Sequence, residues 1–328
     1  MFASHKRASP ETIGFFLVPK FSMIAFISAI EPLRMANRLS GEALYRWVLI
    51  SKDGGSVTAS NGIRVEPHVA MDSVNEGGDG LSVPSIAVVS GIEAERYKDR
   101  DVFTWLRRQD RKGAGIGALC TGSHVLARAG LLDGHSCTIH WENLPGFREQ
   151  FPDIEVSDDL FAIDRDRFTC SGGMAALDMM LHFVSQHHGS DLATQVSEQC
   201  IVDRIRGGED HQRMPVGIRL GIHHPKLLDA IRLMEANLEE PLSQAELARY
   251  AGLSRRQIER LFVKHLGRSP TQYYRELRLD RARQLLNQTD LLVIDVAMAC
   301  GFVSASHFSK CYRQRYGSTP HEERRRVV

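Results

Sequence analysis

Residues 115–134 read GIGALCTGSHVLARAGLLDG. A short apolar run ends at Cys120 and a helical pattern opens immediately after it, so the cysteine is predicted on a small-residue turn between a strand and a helix. Such a turn projects its side chain over the carboxyl end of a sheet, where a following helix start favours thiolate and anions. Two roles follow for Cys120: a nucleophile, or the wall of a binding pocket.

Working outward, the runs IGFFLV (13–18), RWVLIS (46–51) and SIAVVS (85–90) are short and β-rich, while segments opening at Met23, Arg100, Thr121 and Ala175 carry spaced apolar residues and helix formers. The alternation predicts an α/β domain over 11–200, a mostly parallel, flavodoxin-like sheet flanked by helices. Residues 72–84, DSVNEGGDGLSVP, read as a polar glycine-rich loop. Apolar periodicity fades between 203 and 225, where Gly, Pro and charges accumulate, which predicts a linker over 201–224. From 225 to 328 the pattern is all helical.

Composition fits two soluble domains: 328 residues, 43% hydrophobic and 25% charged. The apolar stretch at 15–30 is split by Pro19 and Lys20, lacks a cleavable small-residue motif and falls short of the ~20 residues of a membrane span. A cytoplasmic protein without membrane association is expected. The six cysteines, at 120, 137, 170, 200, 300 and 311, form no C-x-x-C pair and no even ladder, which disfavours a zinc site or a disulfide framework. The adjacent pairs His187/His188 and His223/His224 read as surface or capping residues, because neighbouring side chains do not converge on one metal. Neither metal nor cofactor is expected. The net charge of +1 conceals an asymmetry: 18 of the 41 basic and 12 of the 40 acidic residues follow position 224, a net of +6, leaving −5 for residues 1–224. The basic end is the candidate for a polyanionic partner.

That end contains a repeat. LARYAGLSRRQIERLFVKHLGRSP (247–270) matches VAMACGFVSASHFSKCYRQRYGSTP (296–320), with Ala248 and Gly252 aligned to Ala297 and Gly301, and Gly267 and Pro270 aligned to Gly317 and Pro320. In the first copy Ser243 and Glu246 form a capping-box pattern, Gly252 marks a tight turn, and Ser254 caps a second helix. The apolar stripe of that helix is Ile258, Leu261, Phe262 and His265; its opposite face presents Arg255, Arg256, Glu259 and Arg260. Ala248 lets the helices approach closely.

These paired units resemble the DNA-binding domain of the AraC/XylS family, with PTQYYRELRLDRARQLL (270–286) as the joining helix. By matching positions, the resemblance implies base contacts from Arg256, Glu259 and Arg260 in the first unit, with Arg255 beside them as a DNA-binding residue, and from Ala305, Ser306, Ser309 and Lys310 in the second. Two such units would read major-groove faces about 34 Å apart. The front half, through the turn at Cys120–Gly122, His140 in CTIHW, SGI (90–92) and CSGGMAALD (170–178), resembles the type 1 glutamine amidotransferase-like (PfpI-like) fold. In hydrolytic members an acidic residue follows the first strand; here no carboxylate lies between Val18 and Phe26, and Glu31 comes two helical turns beyond Met23. That departure disfavours catalysis and leaves Cys120 and His140 as a degenerate pair.

The fusion is similar to the GlxA-type regulators, and within them FSMIAFISAIEPLRMANRLSG (21–41) and YRWVLISKDGGSVTASNG (45–62) look like the regulators of carnitine, glycine betaine and arginine catabolism. The resemblance implies a dimeric, activating transcription regulator whose partners are a double-stranded operator, RNA polymerase and a small nitrogenous effector. Met23, Gly91, Cys120, Thr121, His140 and Trp141 are the expected effector-binding residues. Trp141 is open to two readings, a π face for a quaternary ammonium or a core residue. The alternative function is a cysteine-dependent amidase or hydrolase with an appended DNA-binding module.

Overall fold

A computed structural model describes residues 10–74 and 81–327. The chain divides into two compact units, Met1–Gln212 and Arg213–Val328.

In the first unit the elements run β1 (Glu11–Leu17), α1 (Met23–Ser40), β2 (Tyr45–Ser51), the short strands β3 (Val57–Thr58), β4 (Arg64–Val65) and β5 (Val69–Ala70), then β6 (Ser85–Val89), α2 (Arg100–Arg111), β7 (Gly115–Leu119), α3 (Gly122–Arg128), β8 (Ser136–Thr138), α4 (Leu144–Gln150), β9 (Glu155–Ser157), β10 (Phe161–Asp164), β11 (Arg167–Cys170), α5 (Ala175–His188) and α6 (Ser190–Gln199). Seven strands form one sheet in the order β10-β11-β7-β6-β1-β2-β5, parallel throughout except at the β10–β11 edge. This is the mostly parallel, helix-flanked sheet expected. Within the predicted loop at 72–84, residues 75–80 lie outside the described residues.

The β1 sequence shows why helices cover both faces. Alternate side chains point to opposite sides of a strand, and here both sets are apolar. Phe15 and Leu17 enter a core with α1, α5 and α6, whereas Phe16 and Val18 enter a second core with α2, α3 and α4. His124, on α3, belongs to the second core and is fully buried against the rings of Phe147 and Phe151. Burial among aromatic groups, with Arg128 nearby, holds its pKa down at about 3. The unfolded imidazole takes up a proton near pH 6.5 and the folded one does not, so stability should fall by about 1.4 kcal/mol per pH unit as the pH drops from about 6.5 toward 3. His124→Leu is expected to flatten the dependence of the first unit's melting temperature on pH between 6 and 4; an unchanged slope would show that other groups govern acid unfolding.

The second unit comprises α7 (Val216–Leu220), α8 (Pro225–Ala236), α9 (Gln244–Tyr250), α10 (Arg255–Leu266), α11 (Pro270–Gln288), α12 (Val293–Ala299), α13 (Ala305–Tyr316) and α14 (Pro320–Val327). Its two cores meet along α11: Tyr273 and Tyr274 pack with Ile258 and Phe262, while Leu279, Ala282, Leu285 and Leu286 pack with Phe302, Phe308 and Tyr312. No described helix is long and apolar enough to cross a membrane.

The stretch expected as a linker carries fixed contacts on both sides. Arg206 pairs with buried Asp178 and Gln212 bonds to the backbone of Ile139, within the first unit, while Val216 and Ile222 are buried in the second. Its charges and glycines hid these contacts because each involves a partner distant in sequence. The histidine reading is also revised in part: His224 caps α8, but His187 is mostly buried and lies 3.1 Å from Glu11.

Candidate functional site

β7 is buried along its length, and the chain reverses into α3 at Cys120, which adopts φ 62°. A non-glycine residue in this left-handed region costs about 1–3 kcal/mol and persists only where its surroundings impose it. The Cys120 N–H donates to the Cys170 carbonyl at 3.0 Å, and the Cys120 carbonyl accepts from the His140 N–H at 3.4 Å. Gly172 must be glycine, since a Cβ there would lie 2.6 Å from the Cys120 Cβ. Gly122 likewise lets α3 start against β6, where a Cβ would meet the Val88 carbonyl oxygen at 2.3 Å.

The same end of the sheet receives the other expected residues. Thr121 donates its hydroxyl to the Gly91 carbonyl at 2.5 Å, and Gly91 pairs with Phe21 so closely that a Cβ would sit 2.4 Å from the Lys20 oxygen. Met23, half-buried, opens α1 behind its cap Ser22. His140 and Trp141 follow β8 with ring centroids 5.5 Å apart, both half-buried. The structure thus gathers Gly91, Cys120, Thr121 and His140 around one turn, with the α1 start joined to it through Ser22. Ser22 was missed in the sequence: its hydroxyl hydrogen-bonds the Cys120 sulfur, and only the fold reveals that the residue before the helix faces the turn.

The electrostatics run against the thiolate that a helix start favours. Burial pushes the Cys120 thiol up to about 11, outweighing the Thr121 N–H and Ser22 hydroxyl, which favour the anion, and Glu142 adds to the rise. At pH 7 only about one thiol in ten thousand is then ionised. Burial also lowers the His140 pKa, opposed by Glu142, so its imidazole is a neutral hydrogen-bonding group. Glu31 is engaged by Arg34 at 2.6 Å, two turns along α1. The arrangement can recognise a small polar molecule through a thiol, hydroxyls, a neutral imidazole and an indole. Among the described residues no three His, Cys, Asp or Glu side chains are grouped to hold a metal ion, and none of the six cysteines is in a disulfide.

In the second unit, capping boxes start both α9 (Ser243 with Glu246) and α10 (Ser254 with Gln257). Gly252 and Gly301 turn the chain at φ 62° and 70°, and Gly267 and Gly317 end α10 and α13 in the same left-handed conformation. The sequence repeat is therefore a structural one, two helix-turn-helix units. On α10 Ile258 and Phe262 are buried and Leu261 half-buried, but His265 is exposed, so it leaves the expected apolar stripe; its ring lies 6.1 Å from that of His224. Arg255, Arg256, Glu259 and Arg260 are all exposed. On α13 Ser306 and Lys310 are exposed and Ala305 and Ser309 half-buried, so this helix offers fewer long side chains.

A helix-turn-helix domain model matches residues 247–326, and the DJ-1/PfpI family model matches residues 12–186. The chain is 50% identical over 316 residues to the HTH-type transcriptional regulator GbdR of Pseudomonas aeruginosa, covering 96% of this chain and 84% of that protein. The chain belongs to the AraC-type transcriptional regulators with a DJ-1/PfpI domain. The regulator is also 47% identical to the HTH-type transcriptional regulator CdhR of Pseudomonas aeruginosa, over 94% of this chain and 90% of that one. A crystal structure of an AraC family transcriptional regulator from Pseudomonas putida superposes with a TM-score of 0.52 at 26% identity, covering 58% of this regulator and all of that chain. The regulator is thus a DNA-binding protein whose front half has the fold of a family that includes enzymes.

Proposed function

We propose that this regulator is a homodimeric activator that recruits RNA polymerase to a catabolic operator in response to a small nitrogenous metabolite, such as carnitine, glycine betaine or an amino acid. The effector sits beside Cys120 and Thr121, with Met23, Gly91, His140 and Trp141 completing its surroundings, and the front unit performs no turnover. The observation that carries this reading is the buried Cys120 thiol, pushed up to about 11, on a turn to which the Val18–Phe26 stretch brings no carboxylate. A sulfur in that state is a recognition group, since the thiolate is the nucleophile. Thermal melting with glycine betaine, carnitine and arginine tests the reading: one of them should raise the melting temperature of the first unit and be recovered intact by mass spectrometry. Consumption of that metabolite by the wild type, absent in Cys120→Ser, would favour a hydrolase instead.

On the DNA side, base edges are read by Arg255, Arg256, Glu259 and Arg260 of α10, with Ala305, Ser306, Ser309 and Lys310 of α13 contributing more to placement. The exposed, capped face of α10 supports this assignment. Arg256→Ala is expected to weaken binding to a duplex selected by the wild-type protein by about 1–3 kcal/mol, with little change on random DNA, as for a guanine contact. Equal losses on both duplexes would place Arg256 on phosphate.

A further inference from the structure

Beyond α6 the chain does not leave the first unit at once. Residues 204–212 form a strap fixed at three points. At its start, Arg206 donates from its backbone N–H and from its guanidinium to the two oxygens of Asp178, a carboxylate only 1% exposed on α5. In the middle, the Leu160 N–H donates to the Gly208 carbonyl at 2.8 Å, and a Cβ on residue 208 would meet the Phe161 oxygen at 2.7 Å. At its end, His211 bridges to Asp159, and the side-chain amide nitrogen of Gln212 lies 2.9 Å from the Ile139 and Asp159 carbonyls and 3.1 Å from the Thr138 hydroxyl.

The last anchor is placed on the effector turn. Ile139 directly precedes His140, whose N–H reaches the Cys120 carbonyl, and the Thr138 carbonyl accepts from Ser123 of α3 at 2.7 Å. Gln212 is therefore one residue from His140 and two hydrogen bonds from α3. It is also the last residue of the first unit, and Arg213 is the first of the second. Any shift of the Thr138–Trp141 segment would change the acceptors that hold Gln212, the residue before the DNA-binding unit.

We propose that Gln212 is the positioning residue that couples the Cys120–His140 turn to the DNA-binding unit, with Arg206 and Asp178 as the fixed end of the strap. This rests on the reading that the effector binds beside Cys120. Coupling between two sites is reciprocal and is commonly 5- to 150-fold, so disturbing the coupler changes operator binding even without ligand. Gln212→Glu keeps the shape but sets a carboxylate against the Ile139 and Asp159 carbonyl oxygens; Gln212→Ala removes the amide altogether.

The full-length variants are to be titrated, with and without glycine betaine, against the duplex selected by the wild type, and melted in parallel. The expected result is a change of at least about fivefold in ligand-free affinity for Gln212→Glu, a smaller change of the same sign for Gln212→Ala, and unchanged melting of the second unit. Ligand-free affinities within twofold of wild type in both variants would overturn the proposal, as would a loss of affinity traced to unfolding of the second unit. If Gln212→Glu fails to fold, the affinity of Gln212→Ala decides. Failure of the effector reading looks different: no metabolite then shifts wild-type melting, while the ligand-free affinities still report on Gln212.

Discussion

Gly301→Val is expected to abolish operator binding while the first unit melts as in the wild type. Gly301 sits at φ 70° in the turn between α12 and α13, where a side chain is strained whatever the space. Space is also lacking: a Cβ would lie 2.6 Å from the Pro241 Cγ and 2.7 Å from the Leu238 carbonyl oxygen, both in the segment between α8 and α9. A backbone oxygen and a proline ring cannot swing aside. Arg278 of α11 further fixes the turn, donating to the Cys300 and Gly301 carbonyls at 2.7 and 2.6 Å while its guanidinium covers the Phe302 ring. Strain and overpacking together cost on the order of 3–5 kcal/mol, a large part of a small domain's 5–15 kcal/mol. The turn at Gly252 provides the contrast, because there a Cβ meets only the flexible Lys226 Nζ at 3.6 Å. Gly252→Ala should therefore cost about 1 kcal/mol and keep binding. Calorimetry with operator titration compares the two; if Gly301→Val binds within threefold of wild type, the two helix-turn-helix units do not depend on this contact.

Cys120→Trp should eliminate the effector response altogether, because the buried turn packed against Gly172 has no room for an indole, and forcing one in displaces its neighbours Thr121 and His140. DNA binding through the second unit is retained, so electrophoretic shift of the operator shows whether the protein is intact where it matters. Cys120→Ser makes the complementary case. The hydroxyl is close in size to the thiol but a stronger hydrogen-bonding group, so the regulator should respond at an altered effector concentration. Dose-response curves of a transcriptional reporter separate the outcomes. A Cys120→Trp protein that responds like the wild type would move the effector site elsewhere in the first unit.

Much of this molecule was legible in its sequence because the signals are local. The helix starts at Met23, Arg100 and Ala175 follow from apolar spacing, the start of α9 from Ser243 with Glu246 three residues on, and that of α10 from Ser254. The repeat locates both helix-turn-helix units through four glycines that take positive φ. The turn at Cys120 is equally local, a strand meeting a helix through small residues.

What the tertiary structure alone decided depends on groups brought together from distant parts of the chain. The ionisation of Cys120 was left open by the sequence, since a helix start is visible there but the burial that outweighs it is not. Ser22 facing Cys120, Asp178 receiving Arg206 and Gln212 reaching Ile139 each join residues far apart in the chain and leave no periodic trace. The sequence by itself determined the two folds and the chemical inventory of each; tertiary packing decided which thiol stays neutral and where the strap is pinned, because solvation and long-range hydrogen bonds exist only once the sheet has closed over its helices.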